Sequence, residues 1–170
     1  KNFSARRPLA IMGDGGFWHN GLLSGVSSTL LNGGDGVLLI MKNGYTSATG
    51  TQNIPSSPDL SAREGRGISI ESTLRGLGVK WLERVPNYQV SDVADALRRA
   101  MTTEEKGLKI IIADGECMLE RTRRERPVKA QQLAAGERVV RTRFGIDDDV
   151  CTGDRACIRL SGCPSLTIKD

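Results

Sequence analysis

Short, unbroken apolar runs set the rhythm of this chain, separated by glycine turns and by stretches with helical spacing. Leu9-Ala-Ile-Met12 is one such run, closed by Gly13-Asp14-Gly15-Gly16, and it predicts a buried strand followed by a tight turn. Leu22, Leu23, Val26, Leu30 and Leu31 then recur at spacings of one, three and four. That spacing predicts a helix from about Trp18 to Leu31, ended by Asn32-Gly-Gly-Asp-Gly36. Val37-Leu-Leu-Ile-Met41 is apolar at every position, as a parallel strand covered on both faces would be. A short helix is expected near Ile70–Leu77 and a strand at Lys80–Val85. Ser91 is placed to cap a further helix, with Asp92 in its first turn, Val93, Leu97, Ala100 and Met101 on one face, and Arg98 and Arg99 near its end. Leu108–Ala113 is the last clear strand.

Four strands alternating with helices predict parallel pairing, right-handed crossovers and a doubly wound α/β sheet. Between Asn43 and Arg66 the chain is polar and rich in Gly, Ser and Pro, and so long a loop within a compact domain is usually functional. Beyond Gly115 the pattern fades into a basic, mixed tail that ends in a cysteine cluster. The expected division is an α/β domain over residues 1–120 and a basic tail over 121–170. Neither Lys1 nor Asp170 has the look of a natural terminus, and the expectation is a segment of a longer protein, lacking the first part of its domain and leading to a further one.

Composition narrows the function classes. Aromatics are only 4% of the residues, so the core must rest on Leu, Ile, Val and Ala. The net charge of +4 is concentrated in Arg121–Lys129 and Arg138–Arg143. No aromatic residues interleave the first run and no nucleic-acid motif surrounds it, so a solvated basic face or an acidic protein partner is expected, and no nucleic acid. No apolar run approaches the ~20 residues that span a bilayer, so no membrane association is expected. Four cysteines, at 117, 151, 157 and 163, are too few for a disulfide framework in a domain of this size. Reduced thiols of a cytoplasmic protein, or iron–sulfur ligands, fit better.

Two strand ends are chemically loaded: Gly13-Asp14-Gly15-Gly16 and Lys42-Asn43-Gly44-Tyr45. In open α/β sheets, ligands bind beyond the carboxyl ends of the strands. Glycines there let the backbone approach a phosphate, and the start of the following helix offers N–H groups. Asp14 can neutralise a divalent cation. Magnesium prefers hard oxygens in an octahedron, which a carboxylate, an amide oxygen, a carbonyl and phosphate oxygens would supply. Gly15 and Asn43 are separated by residues 16–42, one helix and one strand, so the two ends belong to neighbouring or near-neighbouring parallel strands.

This interval closely resembles the thiamine-diphosphate signature, Gly-Asp-Gly followed at a distance by Asn. Four further segments, Gly13–Gly21, Asn43–Gln52 with Pro55-Ser-Ser-Pro58, Ala113–Cys117 and Cys151–Cys163, are similar to the large subunit of indolepyruvate:ferredoxin oxidoreductases over nearly the whole chain. The resemblance implies that Asp14 and Asn43 are side-chain ligands of a magnesium ion, and that Tyr45 offers its backbone carbonyl. It implies that Gly13, Gly15 and Gly16 line the diphosphate, and that Thr46, Thr49 and Gln52 lie on the loop covering the cofactor. His19 either touches the diphosphate or substrate carboxylate or caps the helix. Cys117 is either one ligand of a four-iron cluster or an inert small hydrophobe.

Cys151, Cys157 and Cys163, with five residues between each pair, match neither zinc nor close-packed ferredoxin spacing. The implied reaction is oxidative decarboxylation of indolepyruvate or another arylpyruvate to acyl-CoA and CO2. Coenzyme A, ferredoxin, [4Fe-4S] clusters and a second, smaller oxidoreductase subunit would take part. The aminopyrimidine-activating acid is expected on another domain, so the chain by itself should be inactive. A non-oxidative thiamine enzyme and a cofactor-free assembly domain are the alternatives.

Overall fold

The computed structural model describes residues 7–58, 67–140, 146, 149 and 151–160. The chain divides into two compact units, Lys1–Val128 and Lys129–Asp170. The first carries β1 (Leu9–Gly13) and a continuous helical stretch made of α1 (Asp14–Gly16), a π-helical segment (Phe17–Ser27) and α2 (Ser28–Leu31). Then follow β2 (Val37–Lys42), β3 (Tyr45–Thr46), β4 (Gln52–Asn53), α3 (Ile70–Gly76), β5 (Trp81–Pro86), α4 (Val90–Thr102) and β6 (Lys109–Asp114). Helix α5 (Met118–Ala134) comes next, and the second unit holds α6 (Ala156–Arg159).

Four parallel strands form one sheet in the order β1-β2-β6-β5. The fold is α/β, with helices on both faces of the sheet, as the alternation predicts. Strands β2 and β6 are buried on both sides because their neighbours flank them and helices cover them. Leu38, Ile40, Ile110 and Ile112 join Phe17, Val26, Ile70, Leu74 and Val79 on one face. Val37, Leu39, Ile111 and Ala113 join Val85, Ala96 and Ala100 on the other. The small Ala96 and Ala100 let α4 lie close to the sheet, each fully buried.

Several expectations are corrected. β1 is an edge strand, not a buried one: Leu9 is 44% and Ile11 62% exposed. The chain's apolar run reports strand propensity, but coverage depends on neighbours, and among the described residues β1 has one strand beside it. Helix α4 starts at Val90 with Gln89 at its cap, so Ser91 lies inside the helix. Met101, expected on one face with Val93, Leu97 and Ala100, is exposed, while Ala96 is buried with Ala100. The loop from Asn43 holds a small antiparallel hairpin, β3–β4, with Tyr45 opposite Asn53; residues 59–66 of that loop lie outside the described set.

Where periodicity fades, α5 runs for 17 residues with none buried. A helix without a buried face leaves no apolar stripe to read. Its support is side-chain pairing instead, as between Arg121 and Glu125 at 2.7 Å. Among the described residues, no helix is long and apolar enough to cross a membrane.

Candidate functional site

Parallel pairing puts the carboxyl ends of all four strands on one edge. Gly13 stands beside Met41, and Lys42 beside Asp114, which also neighbours Pro86. The residues that follow β1, β2 and β6 therefore converge.

Asp14 is the first residue of the helical stretch after β1, and it is 1% exposed. Its Oδ1 accepts the N–H of Gly15 at 3.0 Å. Its Oδ2 accepts the N–H groups of Asn43 at 2.9 Å and Gly44 at 2.7 Å. One carboxylate thus fastens the end of β1 to the turn after β2. Gly44 makes that turn at φ +85°, where a side chain would be strained. Burial pushes the Asp14 carboxyl above its ordinary value, against the pull of the N–H groups of Gly44, Asn43 and Gly15 and of the Lys42 cation.

Asn43 accepts the N–H of Tyr45 on Oδ1 at 3.0 Å and donates from Nδ2 to Ser47 Oγ at 3.0 Å. Ser47 Oγ lies 3.2 Å from Cys117 Sγ. Ser57, fully buried, donates to the Gly44 carbonyl at 2.5 Å and accepts the Ile54 N–H at 2.8 Å, so it pins the turn from below. Burial pushes the Cys117 thiol up, but Ser47 and the backbone N–H groups of Glu120 and Leu119 outweigh it, and the net shift is downward. Asp114 behaves likewise: burial raises it, and ion pairs with Lys42 at 2.8 Å and with Arg84 carry it below its ordinary value.

Gly15, Tyr45 and Thr46 also gather here. Gly15 packs against the Thr46 side chain. Tyr45 is buried, 7% exposed. Gly13 and Gly16 differ from Gly15: a methyl group on either would meet no atom within 4 Å, and neither has a positive φ. Among the described residues, no packing contact requires glycine at these two positions. Asn43, Gly44, Tyr45, Asp114 and Cys117 line a cleft of about 410 Å³ at this edge, with Arg124 at its wall. A larger open depression, about 560 Å³, lies by Lys80–Glu83 and Arg99–Glu105 and holds no residue of the motif.

Other expected residues sit apart. His19 is exposed on the π-helical segment. Thr49 and Gln52 are exposed and bond to each other at 2.9 Å. Cys151 and Cys157 are on the surface of the second unit, and Cys163 lies outside the described residues. Among the described residues no three His, Cys, Asp or Glu side chains converge on a metal position. A magnesium site built from one carboxylate, one amide and one carbonyl needs no such group, and the hard oxygens of Asp14 and Asn43 fit it. Sequence reasoning missed Ser47 as a partner of Asn43 and Ser57 as the support of the turn. Serine in a polar loop carries no periodic signal.

The family model for the thiamine pyrophosphate enzyme, C-terminal TPP binding domain, matches residues 2–113. The chain is similar to proteins named indolepyruvate oxidoreductase subunit IorA. It is 25% identical to that of Pyrococcus horikoshii over 93% of the chain and 22% of the relative. For Archaeoglobus fulgidus the identity is 31%, over 95% of the chain and 28% of the relative. For Methanothermobacter marburgensis it is 27%, over 98% and 24%. The chain therefore spans about a quarter of the length of these relatives.

Proposed function

Because the chain belongs to the family of C-terminal thiamine-pyrophosphate-binding domains, we propose that it anchors thiamine diphosphate and magnesium in an indolepyruvate oxidoreductase. Asp14 and Asn43 would hold the magnesium by their side chains and Tyr45 by its carbonyl. Gly13, Gly15 and Gly16 would line the diphosphate, and Thr46 and Thr49 would flank the cofactor. When bound, thiamine diphosphate supplies the carbanion chemistry that releases CO2 from a 2-oxo acid. The chain's own share is to hold the diphosphate end rigidly, so that the reactive end points one way.

One observation carries this reading: the Asp14 carboxylate is buried and hydrogen-bonded to the turn that presents Asn43. A carboxylate taken out of water is suited to a cation. The relatives' names, which call each an indolepyruvate oxidoreductase subunit, support indolepyruvate or a similar arylpyruvate as substrate. The word subunit in those names supports a second subunit; coenzyme A as acyl acceptor and ferredoxin with iron–sulfur clusters as electron acceptors complete the proposed reaction.

The test is cofactor content of the intact protein purified without oxygen, alongside Asp14→Ala. Thiamine diphosphate and iron in the wild type, with thiamine diphosphate lost from the variant, are expected. A wild type that takes up no thiamine diphosphate with added magnesium would overturn the proposal. Thiamine diphosphate without iron would replace the oxidative reaction by a non-oxidative one.

A further inference from the structure

Thr51, at the tip of the β3–β4 hairpin, has φ +62°, and among the described residues only Arg155 shares a positive φ with it outside the glycines. Glycine or asparagine takes that left-handed conformation at little cost, whereas a β-branched residue is strained there. The threonine hydroxyl is engaged on two sides. It donates to the Gly50 carbonyl at 2.6 Å and accepts from the Arg123 guanidinium. Arg123 also donates to the Gly50 carbonyl at 2.9 Å, so one cation of α5 holds both residues of the tip. The strain therefore accompanies a contact that glycine could make only in part.

The two elements joined in this way line the same cleft: Tyr45 at the base of the hairpin, and Glu120 and Arg124 of α5. Helix α5 buries no residue, and residues 48–50 of the tip are exposed. Hydrogen bonds at such a solvent-facing contact are individually weak, so the contact can break and re-form while the sheet stays folded. Resting on the cofactor reading above, we infer that Arg123 and Thr51 form a latch that keeps the hairpin on α5 and slows the release of bound thiamine diphosphate. With the latch closed, Tyr45 and Thr46 are held from both ends of their loop, by the Asp14 carboxylate at Gly44 and by Arg123 at Gly50. An outlying backbone angle kept in place by its surroundings often belongs to a mechanism of this kind.

The experiment loads the intact protein with radiolabelled thiamine diphosphate and magnesium, chases with unlabelled cofactor and follows the loss of label. Arg123→Ala should release the cofactor about 3- to 10-fold faster, the effect of an exposed pair of hydrogen bonds. Thr51→Gly should release it about 3-fold faster, while its cofactor-free form unfolds at or above the wild-type temperature because glycine relieves the strain. A merely structural residue would not separate the two readouts in this way. The double variant should stay within about 2-fold of Arg123→Ala, because both changes break one latch. Thermal unfolding of the cofactor-free variants shows that each has folded. A folded Arg123→Ala or Thr51→Gly protein that releases the cofactor at the wild-type rate would overturn the inference and leave the cofactor reading intact. A double variant whose rate is the product of the two single effects would do the same. A wild type that takes up no thiamine diphosphate would overturn both.

Discussion

Gly15 stands so close to Thr46 that a methyl group on its α-carbon would lie 2.4 Å from the Thr46 hydroxyl oxygen and 3.3 Å from its β-carbon. The helical stretch after β1 and the strand after Asn43 touch at this point with only the Thr46 side chain between their backbones.

Gly15→Ala should therefore destabilise the protein by about 1–3 kcal/mol, the usual cost of overpacking. Thr46→Ala in the same protein should recover much of that loss. Gly16→Ala, which meets nothing, should unfold at or above the wild-type temperature yet retain less thiamine diphosphate. Thermal unfolding beside cofactor content reads both. Equal unfolding temperatures for the two alanine variants would remove the packing argument.

Ser57→Ala removes a fully buried hydroxyl that serves both the Gly44 carbonyl and the Ile54 N–H. Leaving such a buried donor unpaired costs about 1–3 kcal/mol. The expected result is a lower unfolding free energy in denaturant together with weaker magnesium-dependent binding, since the turn bearing Asn43 loosens. Unchanged stability would mean that water replaces the hydroxyl.

Lys109 is fully buried within β6, and its ammonium group meets Asp35, which Arg7 also pairs at 3.0 Å. Replacing a buried charge by an apolar residue is often nearly neutral, whereas deleting its partner leaves the charge uncompensated. Asp35→Ala should accordingly lower the unfolding temperature much more than Lys109→Met. The Lys109 and Arg7 partners hold the Asp35 carboxyl below its ordinary value. This stabilisation is present above that ordinary value and fades as pH falls through the lowered one. Asp35→Ala should therefore lose most stability at neutral pH and least in strong acid.

Asp14 has the opposite sign. Its carboxyl is raised by burial, so the stability it contributes is complete below the ordinary carboxylate value and is lost as pH rises through the raised one. Where the buried carboxylate is ionised, a bound magnesium ion would offset the cost of burying its charge. The rise in unfolding temperature on adding magnesium and thiamine diphosphate should be larger at about pH 7 than at about pH 4, where protons compete. Asp14→Ala should abolish the pH dependence of the rise. An equal rise at both pH values in the wild type would argue that the cation binds elsewhere.

The unbroken apolar run at Val37–Met41 and the alternation of strands with helices were enough to establish a parallel α/β sheet. Glycines around Asp14 and the interval to Asn43 were enough to place both at the ends of neighbouring or near-neighbouring strands, and the sheet order made those strands adjacent. Both signals are local, or depend only on how far a helix and a strand carry the chain. Tertiary structure alone decided that β1 lies at an edge, with Leu9 and Ile11 exposed, because coverage depends on which strand comes next. It alone decided that Lys109 is buried against Asp35, that Ser57 holds Gly44, and that Cys117 reaches Ser47. These pairs join residues far apart in sequence, and neither periodicity nor composition records who their partners are. Helix α5 escaped for a related reason: a helix with no buried face leaves no stripe in the sequence.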